Sequence, residues 1–518
     1  MTKRVLWHKR VYWFALLGIV IGLPLNKIVL SLSGMLLAAN WLLEGGFKQK
    51  FERLKAQKTG LLLALLFLFL AITTFYSSDL NYALKDLRIK LPLLFCPIVI
   101  LSSEPLSLKM YRRIIAAFVF SVSTVTIINF ALFTISPDVL MDARMMSLFD
   151  SHIRLSLMVA AATFLTARTA FEVRGLLKIP FVLLTLWFLF YTHKSEVLTG
   201  YFSLFMVALI LAIRFIVLQV KRLRPLVLFA VFSGTVAVIY VLYLFVYPIP
   251  NEDIDRLNLP QFTELGGVYE HDTTSVVLEN GYFIHYFVCA PELDSVWRLR
   301  TGEPLIHHEN QDLFPSLIRY MTSMGLRKDA QALAQLTDED IENVQHGFPS
   351  IVYAQGGLES RLARITMEIQ KHLEGADPNG STIQQRLEYW RIGAELIREN
   401  PVFGVGIGDI QLMFDRKYED NNSRLHPENR LHTHQQFMTI WIGSGIFGLL
   451  IFLFYIVLTF KEAIAYKSYT LLVFWTVITF SYFFEDTLET QVGATLAAFF
   501  ITFILKQEKT QPLFDKAS

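Results

Sequence analysis

The stretch RLHTHQQFMTIWIGSGIFG, residues 430–448, places His432 and His434 at the mouth of an apolar run long enough for a bilayer helix. An imidazole titrates near neutrality, so it can take a proton from an attacking hydroxyl. Upstream, Arg386 and Arg391 lie in TIQQRLEYWRIGAELIREN, while Arg154 lies in SHIRLSLM and Lys194 in YTHKSEVLTG. Arginine offers phosphate a planar fork of donors and does not deprotonate. Cations at a bilayer surface beside a base-capable histidine suit a lipid-linked anionic substrate. The bland reading of each is an interfacial histidine, a solvated arginine, or an anchor to lipid phosphates.

The elements that must position these residues are mostly helices in a membrane. Of 518 residues, 53% are hydrophobic and only 18% charged, and the apolar residues come in long runs, which indicates a polytopic membrane protein. The net charge of +2 gives no global signal for nucleic acid. Cys96 lies in an apolar run and Cys289 in a polar region, so no disulfide framework follows. The basic N-terminus MTKRVLWHKR precedes an apolar stretch but lacks a small-residue cleavage site, and reads as a retained first span. A helical span needs about 20 apolar residues. Spans are expected near 11–24, 28–43, 59–76, 91–102, 114–135, 155–167, 179–192, 200–219, 225–247, 437–460, 468–483 and 492–505. With the N-terminus inside, the inner connections carry 23 Lys and Arg and the short outer ones 7, which orients both termini inward. Arg214 is the main charge within a span and lies where it can snorkel to the inner surface. The expected architecture is an all-α membrane protein of about twelve helices. It divides into 1–247 with nine spans, a mainly helical outer loop 248–436, and 437–518 with three spans and a short inner tail.

The outer loop shows helical periodicity over 312–325, 328–345, 357–374 and 382–399. TTSVVLENGYFIHYFVCA reads as two short strands around an Asn-Gly turn. In the helix 382–399, Arg386, Trp390 and Gly393 share one face, and Pro401 ends it. The following PVFGVGIGD resembles a dinucleotide loop only superficially, because no strand is expected before it and no helix directly after. A turn returning the chain to the membrane explains the glycines better. His426, His432 and His434 have no established metal-ligand spacing. Asp338-Glu339-Asp340 follows Thr337 at a helix start, where capping explains acidic residues. His307-His308-Glu309 has no supporting context.

Taken together, RLEYWRIGAELIRENPVFGVGIGD followed by HTHQQFMTIWIGSGIFGLL resembles the signature of the O-antigen ligase and polymerase superfamily, integral membrane glycosyltransferases of the GT-C type. Its members show an Arg before an aromatic helix, then Pro-x-x-Gly-x-Gly, then His-Asn-x-aromatic-Leu with Gly-x-x-Gly further on. Here Arg386, His434, Phe437, Gly445 and Gly448 take these places, and Gln435 replaces the usual Asn. Lys194 stands where the family has a further Arg, which keeps the charge but loses the bidentate fork. The outer loop is also longer than the family commonly shows, and its first part is a candidate acceptor-binding insertion.

The resemblance implies a transferase in the inner membrane of a two-membrane bacterium, with its site facing the periplasm. The donor would be a glycan on undecaprenyl pyrophosphate. The acceptor would be a lipid A-core sugar for a ligase, a second lipid-linked repeat for a polymerase, or a protein serine or threonine. Displacement at the anomeric carbon would invert it and need neither metal nor cofactor. His434 and Arg386 would be catalytic, and Lys194, Arg154, Arg391 and His432 would bind the pyrophosphate and its glycan. A transporter of lipid-linked sugars is the competing class, but it should place ionisable groups near the bilayer midplane. A receptor would need a cytoplasmic output domain, and the sequence offers none.

Overall fold

Apolar runs without hydrogen-bonding side chains must satisfy their own backbone in a bilayer, and the helix does so within one segment. The computed structural model describes residues 3–135, 146–149, 151–219, 250–251, 254–255, 258–305, 313–375 and 377–510, with isolated positions between 225 and 243. It contains helices α1 (Lys3–Leu25), α2 (Lys27–Glu44), α3 (Phe47–Lys55), α4 (Leu62–Thr73), α5 (Leu80–Lys90), α6 (Pro92–Ser102), α7 (Leu108–Ile135), α8 (His152–Glu172), α9 (Ile179–Ser195) and α10 (Leu198–Gln219). Among the described residues, seven helices are long and apolar enough to cross a membrane: Lys3–Leu25, Lys27–Glu44, Leu108–Ile135, His152–Glu172, Gly175–Ser195, Leu198–Val217 and Gln436–Ala465. Leu62–Tyr76 and Tyr469–Ser481 are apolar but shorter. The expected span 91–102 is an 11-residue helix carrying Pro97. The expected span 225–247 and the His307-His308-Glu309 motif fall largely or wholly outside the described residues.

The chain forms two compact units, Met1–Phe215 with Arg386–Ser518, and Ile216–Gln385. In the first, α17 (Thr382–Glu399), α18 (Ile410–Asp420), α19 (Gln436–Ala465), α20 (Tyr469–Ser481) and α21 (Gln491–Thr510) follow the second unit in sequence. The core is aromatic. Phe474 of α20 stacks on Phe500 of α21 with centroids 3.9 Å apart, and Phe118 of α7 meets both. Every residue of α21 from Val492 to Glu508 is buried, so it runs through the centre of this unit.

The second unit holds the expected hairpin. Strand β1 (Leu278–Glu279) pairs antiparallel with β2 (Tyr282–Phe283), and Asn280 and Gly281 both take the positive φ that a tight two-residue turn requires. Helices α11 (Ala290–Thr301), α12 (Phe314–Ser323), α13 (Ala330–Leu333), α14 (Asp338–Gln345), α15 (Ile351–Gln355) and α16 (Gly357–Leu373) pack around Trp297, Tyr320, Met321 and Leu333. The single helix expected over 328–345 is instead two. Thr337 interrupts it by capping α14, with Asp340 returning the bond in a capping box. The acidic triplet is therefore structural at Asp340, which also accepts from the Tyr320 hydroxyl at 2.8 Å.

Candidate functional site

Helix α17 presents Arg386, Trp390 and Gly393 on one face, as their spacing requires. At Gly393 an added Cβ would lie 2.8 Å from Thr433 Cγ2, so the glycine lets the strap carrying the histidines approach closely. Trp390 Nε1 donates to Thr433 O at 3.0 Å, Tyr389 OH to Asn429 O at 2.6 Å, and Tyr418 OH to Leu431 O at 2.6 Å. These three bonds clip residues 429–433 onto α17 and α18. His434 then takes φ +47, a left-handed conformation uncommon outside glycine and found at functional sites. Gln435 ends the strap as the N-cap of α19, accepting from Met438 N at 2.6 Å. The amide side chain thus caps the helix.

The glycine-rich loop is a packing device. Its Val405 N donates to Ile442 O at 2.7 Å, and Ile446 N donates to Pro401 O at 3.0 Å. This docking requires α19 to break at Gly445, whose φ is +65. The Asp409 carboxylate accepts from Ser78 N and Asp79 N at the start of α5. A helix, α18, does open directly after this loop, contrary to expectation, because Asp409 anchors the loop and frees Ile410 to begin a new helix. The element before the loop is α17, not a strand.

At the mouth of α19 the two imidazoles lie nearly parallel, with centroids 5.5 Å apart and planes at 23°. His432 Nδ1 stands 2.9 Å from Asp486 Oδ2, and Asp486 Oδ1 accepts from Thr439 Oγ1 at 2.8 Å. Burial pulls the His432 pKa down, but Asp486 and, more distantly, Glu489 outweigh it, so the pKa is raised above the usual 6.5. His434 goes the other way. Burial lowers its pKa, and the positive His432 and Arg386 reinforce this against Asp486. Burial works to raise the Asp486 carboxyl, yet both histidines and Thr439 hold it below its ordinary range. Two imidazoles side by side are thus tuned apart, one toward the cation and one toward the neutral base.

Arg386 spreads its fork over the connection between α20 and α21. Nη1 donates to Phe484 O at 2.6 Å and Nη2 to Glu485 Oε1 at 2.6 Å. Burial raises the Glu485 pKa against Arg386, Asp486 adds to the rise, and Arg154 opposes it. The structure therefore brings Arg154, on the first turn of α8, into the same electrostatic neighbourhood as Arg386. Beneath the histidines, buried Lys90 pairs with Asp86 at 2.5 Å and with Glu489. Gln436 links this pair to the mouth of α19, donating to Glu489 Oε1 at 3.1 Å and accepting from Leu488 N at 2.6 Å.

Beside Trp390 and Gln435 lies an open cleft of about 580 Å³, otherwise lined by Phe202, Met438, Phe480, Phe483 and Phe484. Its wall is almost wholly apolar and adjoins the residues that hold Arg386 and His434.

Four of the six residues singled out in the sequence, His434, His432, Arg386 and Arg154, thus share one neighbourhood. Arg391 is held by its own helix, with Glu388 at 2.7 Å and Glu395 at 2.9 Å. Lys194 is exposed at the C-terminal end of α9 and makes no ion pair among the described residues. His426 faces Glu428 at 3.4 Å, apart from the other two histidines. Among the described residues no three His, Cys, Asp or Glu side chains group as a metal site. Sequence reading missed Glu485, Asp486, Glu489 and Lys90. Three carboxylates within the short connection FFEDTLET, between two apolar runs, were the available signal.

No curated protein matches the chain significantly. Residues 344–453 match the sequence model of the family described as O-Antigen ligase. That segment is well short of half the chain, but it holds Arg386, the glycine-rich loop, both histidines and the Gly445 break. Through it the chain resembles the O-antigen ligase and polymerase superfamily, whose activity is of the ligase or polymerase type and whose setting is a multi-pass membrane protein acting on lipid-linked glycans.

Proposed function

We propose that this protein is an O-antigen ligase-like glycosyltransferase, which moves a glycan from undecaprenyl pyrophosphate to a sugar of lipid A-core. It works at the periplasmic face of the inner membrane, with twelve spans and the segment 248–436 outside. The observation that carries the reading is the joint placement of Arg386 and a base-tuned His434 beside an aromatic cleft, within the segment that matches the family.

The acceptor hydroxyl gives its proton to neutral His434 as its oxygen attacks the anomeric carbon. The bond from that carbon to the pyrophosphate oxygen breaks with inversion, and undecaprenyl pyrophosphate leaves with the electron pair. Arg386, supported by Arg154, receives the developing charge, with fixed cations in place of a metal ion. Pyrophosphate must exchange with Glu485 for the Arg386 fork. His432, biased toward its charged form by Asp486, biases its neighbour toward the neutral form. The cleft lined by Phe202, Phe480 and Phe483 takes the first isoprene units of the donor. Lys194 and Arg391 bind parts of the glycan further from the reacting carbon.

The test uses purified protein in nanodiscs, an undecaprenyl-pyrophosphate glycan, and three acceptors offered separately. Transfer to lipid A-core, unchanged by EDTA, is expected. Transfer only onto a second donor makes the protein a polymerase, and transfer only onto a Ser-rich peptide makes it a protein glycosyltransferase. Donor binding without transfer to any acceptor moves the reading to transport.

A further inference from the structure

The unit Ile216–Gln385 contains a cleft of its own. It has a volume of about 420 Å³, within the range of small-molecule sites, and lies between the β1–β2 hairpin and α16. Its apolar lining includes Leu278, Val352 and Met367. The polar lining is unusual because part of it is unused. Gln370 accepts from Leu278 N at 2.9 Å through Oε1, but its buried Nε2 has no acceptor. Ser350 is fully buried beside Glu279, whose carboxylate its hydroxyl supports. A buried polar group left unpaired costs about 1–3 kcal/mol, so the unused Gln370 amide at this cleft calls for an occupant.

The chemistry of the lining selects among occupants. The charged residues facing the cleft are Glu279 and Glu359, and among the described residues no Lys, Arg or His lines it. Glu279 is already neutralised by Arg319 at 2.7 Å. An anionic ligand would meet the Glu359 carboxylate and an already paired Glu279, with no cation in the described lining. Amides, hydroxyls and carboxylate acceptors over an apolar floor instead suit a neutral, hydroxyl-rich molecule, whose O–H groups donate to carboxylates and accept from amides while its C–H face covers the floor. We propose that this cleft binds neutral sugar residues of a glycan. The proposal rests on the reading of the protein as a glycan transferase for the source of its ligand, but its binding is independent of transfer.

The experiment applies full-length protein in fluorescent nanodiscs to an array of neutral and acidic bacterial oligosaccharides. Wild type is compared with Ala363→Trp, which fills the cleft without removing a polar group, and with Ser350→Ala, which is mild enough to keep the fold. Neutral glycans should be captured, about tenfold or more weakly by Ala363→Trp and several-fold more weakly by Ser350→Ala. No capture above empty nanodiscs overturns the proposal and leaves water as the occupant. Capture of acidic glycans alone, or capture unchanged in both variants, also overturns it. Capture sensitive to both variants in a protein that transfers nothing upholds this site and sinks the transferase reading. Transfer without capture does the reverse. Where capture holds, comparing the KM of glycan-bearing donor and acceptor in Ala363→Trp identifies which one supplies the sugar.

Discussion

The imidazole of His432 lies against that of His434, centroids 5.5 Å apart, with the buried Asp486 carboxylate 2.9 Å from His432 Nδ1. The carboxylate favours a proton on the first ring, and a proton there disfavours one on the second. A general base is most useful when it is neutral at working pH.

The sign of this coupling is testable. His434 has its pKa lowered from 6.5, so the acid limb of kcat/KM for transfer should fall below that pH. Replacing His432 with Gln removes a positive neighbour and leaves the Asp486 charge uncompensated. Both changes raise the His434 pKa, so the acid limb should move to higher pH. A limb that stays in place or moves lower removes His434 from the role of base.

Stability should carry the opposite imprint of His432. Its folded pKa lies above its unfolded value, so its contribution is full below about 6.5 and is lost as pH rises through the raised value. Melting of wild type in nanodiscs should therefore lose ground over that alkaline window, and melting of His432→Gln should not. Equal slopes in the two proteins would show that the pair does not bear on stability.

Arg386 spreads two nitrogens of a planar fork over two acceptors, a geometry that the single nitrogen of a lysine does not reproduce. Arg386→Lys should lower kcat/KM by about tenfold or more, and Arg386→Ala by about 10²–10³. Glu485→Gln should lower the donor KM, because it weakens the carboxylate that occupies the guanidinium before pyrophosphate arrives. Steady-state kinetics with varied donor separates these cases. A raised donor KM in Glu485→Gln would mean that the carboxylate orients Arg386 instead of competing for it.

Gly445 is where α19 gives way to the glycine-rich loop. A Cβ there would lie 2.0 Å from Val402 O, and the backbone holds φ +65. Gly445→Ala should cost about 3 kcal/mol or more and depress both melting temperature and yield. Gly380→Ala, where an added Cβ meets nothing within 4 Å, should be neutral within about 0.5 kcal/mol. Equal melting of the two variants would refute the backbone-clash explanation.

The site was half legible in the sequence, and distance along the chain explains which half. Arg386, Trp390, Gly393 and the histidines belong to one local run, where helical spacing and Pro401 fix a shared face. Glu485 lies 99 residues from the arginine it pairs, and Glu489 lies 399 residues from Lys90. No periodicity reports such meetings; only the tertiary fold makes them. The basic residues were therefore read as free cations, whereas Arg386, Arg391 and His432 each face a carboxylate. The Asn-Gly hairpin and the capping of α14 were legible because turn and cap chemistry is local. The break within 328–345 was missed because apolar periodicity continued across a cap that interrupts the backbone.

The most direct test follows undecaprenyl pyrophosphate release and glycan transfer together by mass spectrometry, in nanodiscs, for wild type and His434→Ala. Both products should appear in equal amounts with wild type, and both rates should fall by about 10²–10⁴ in the variant while donor still binds. Transfer within a few-fold of wild type in His434→Ala would contradict the assignment of the base at the mouth of α19.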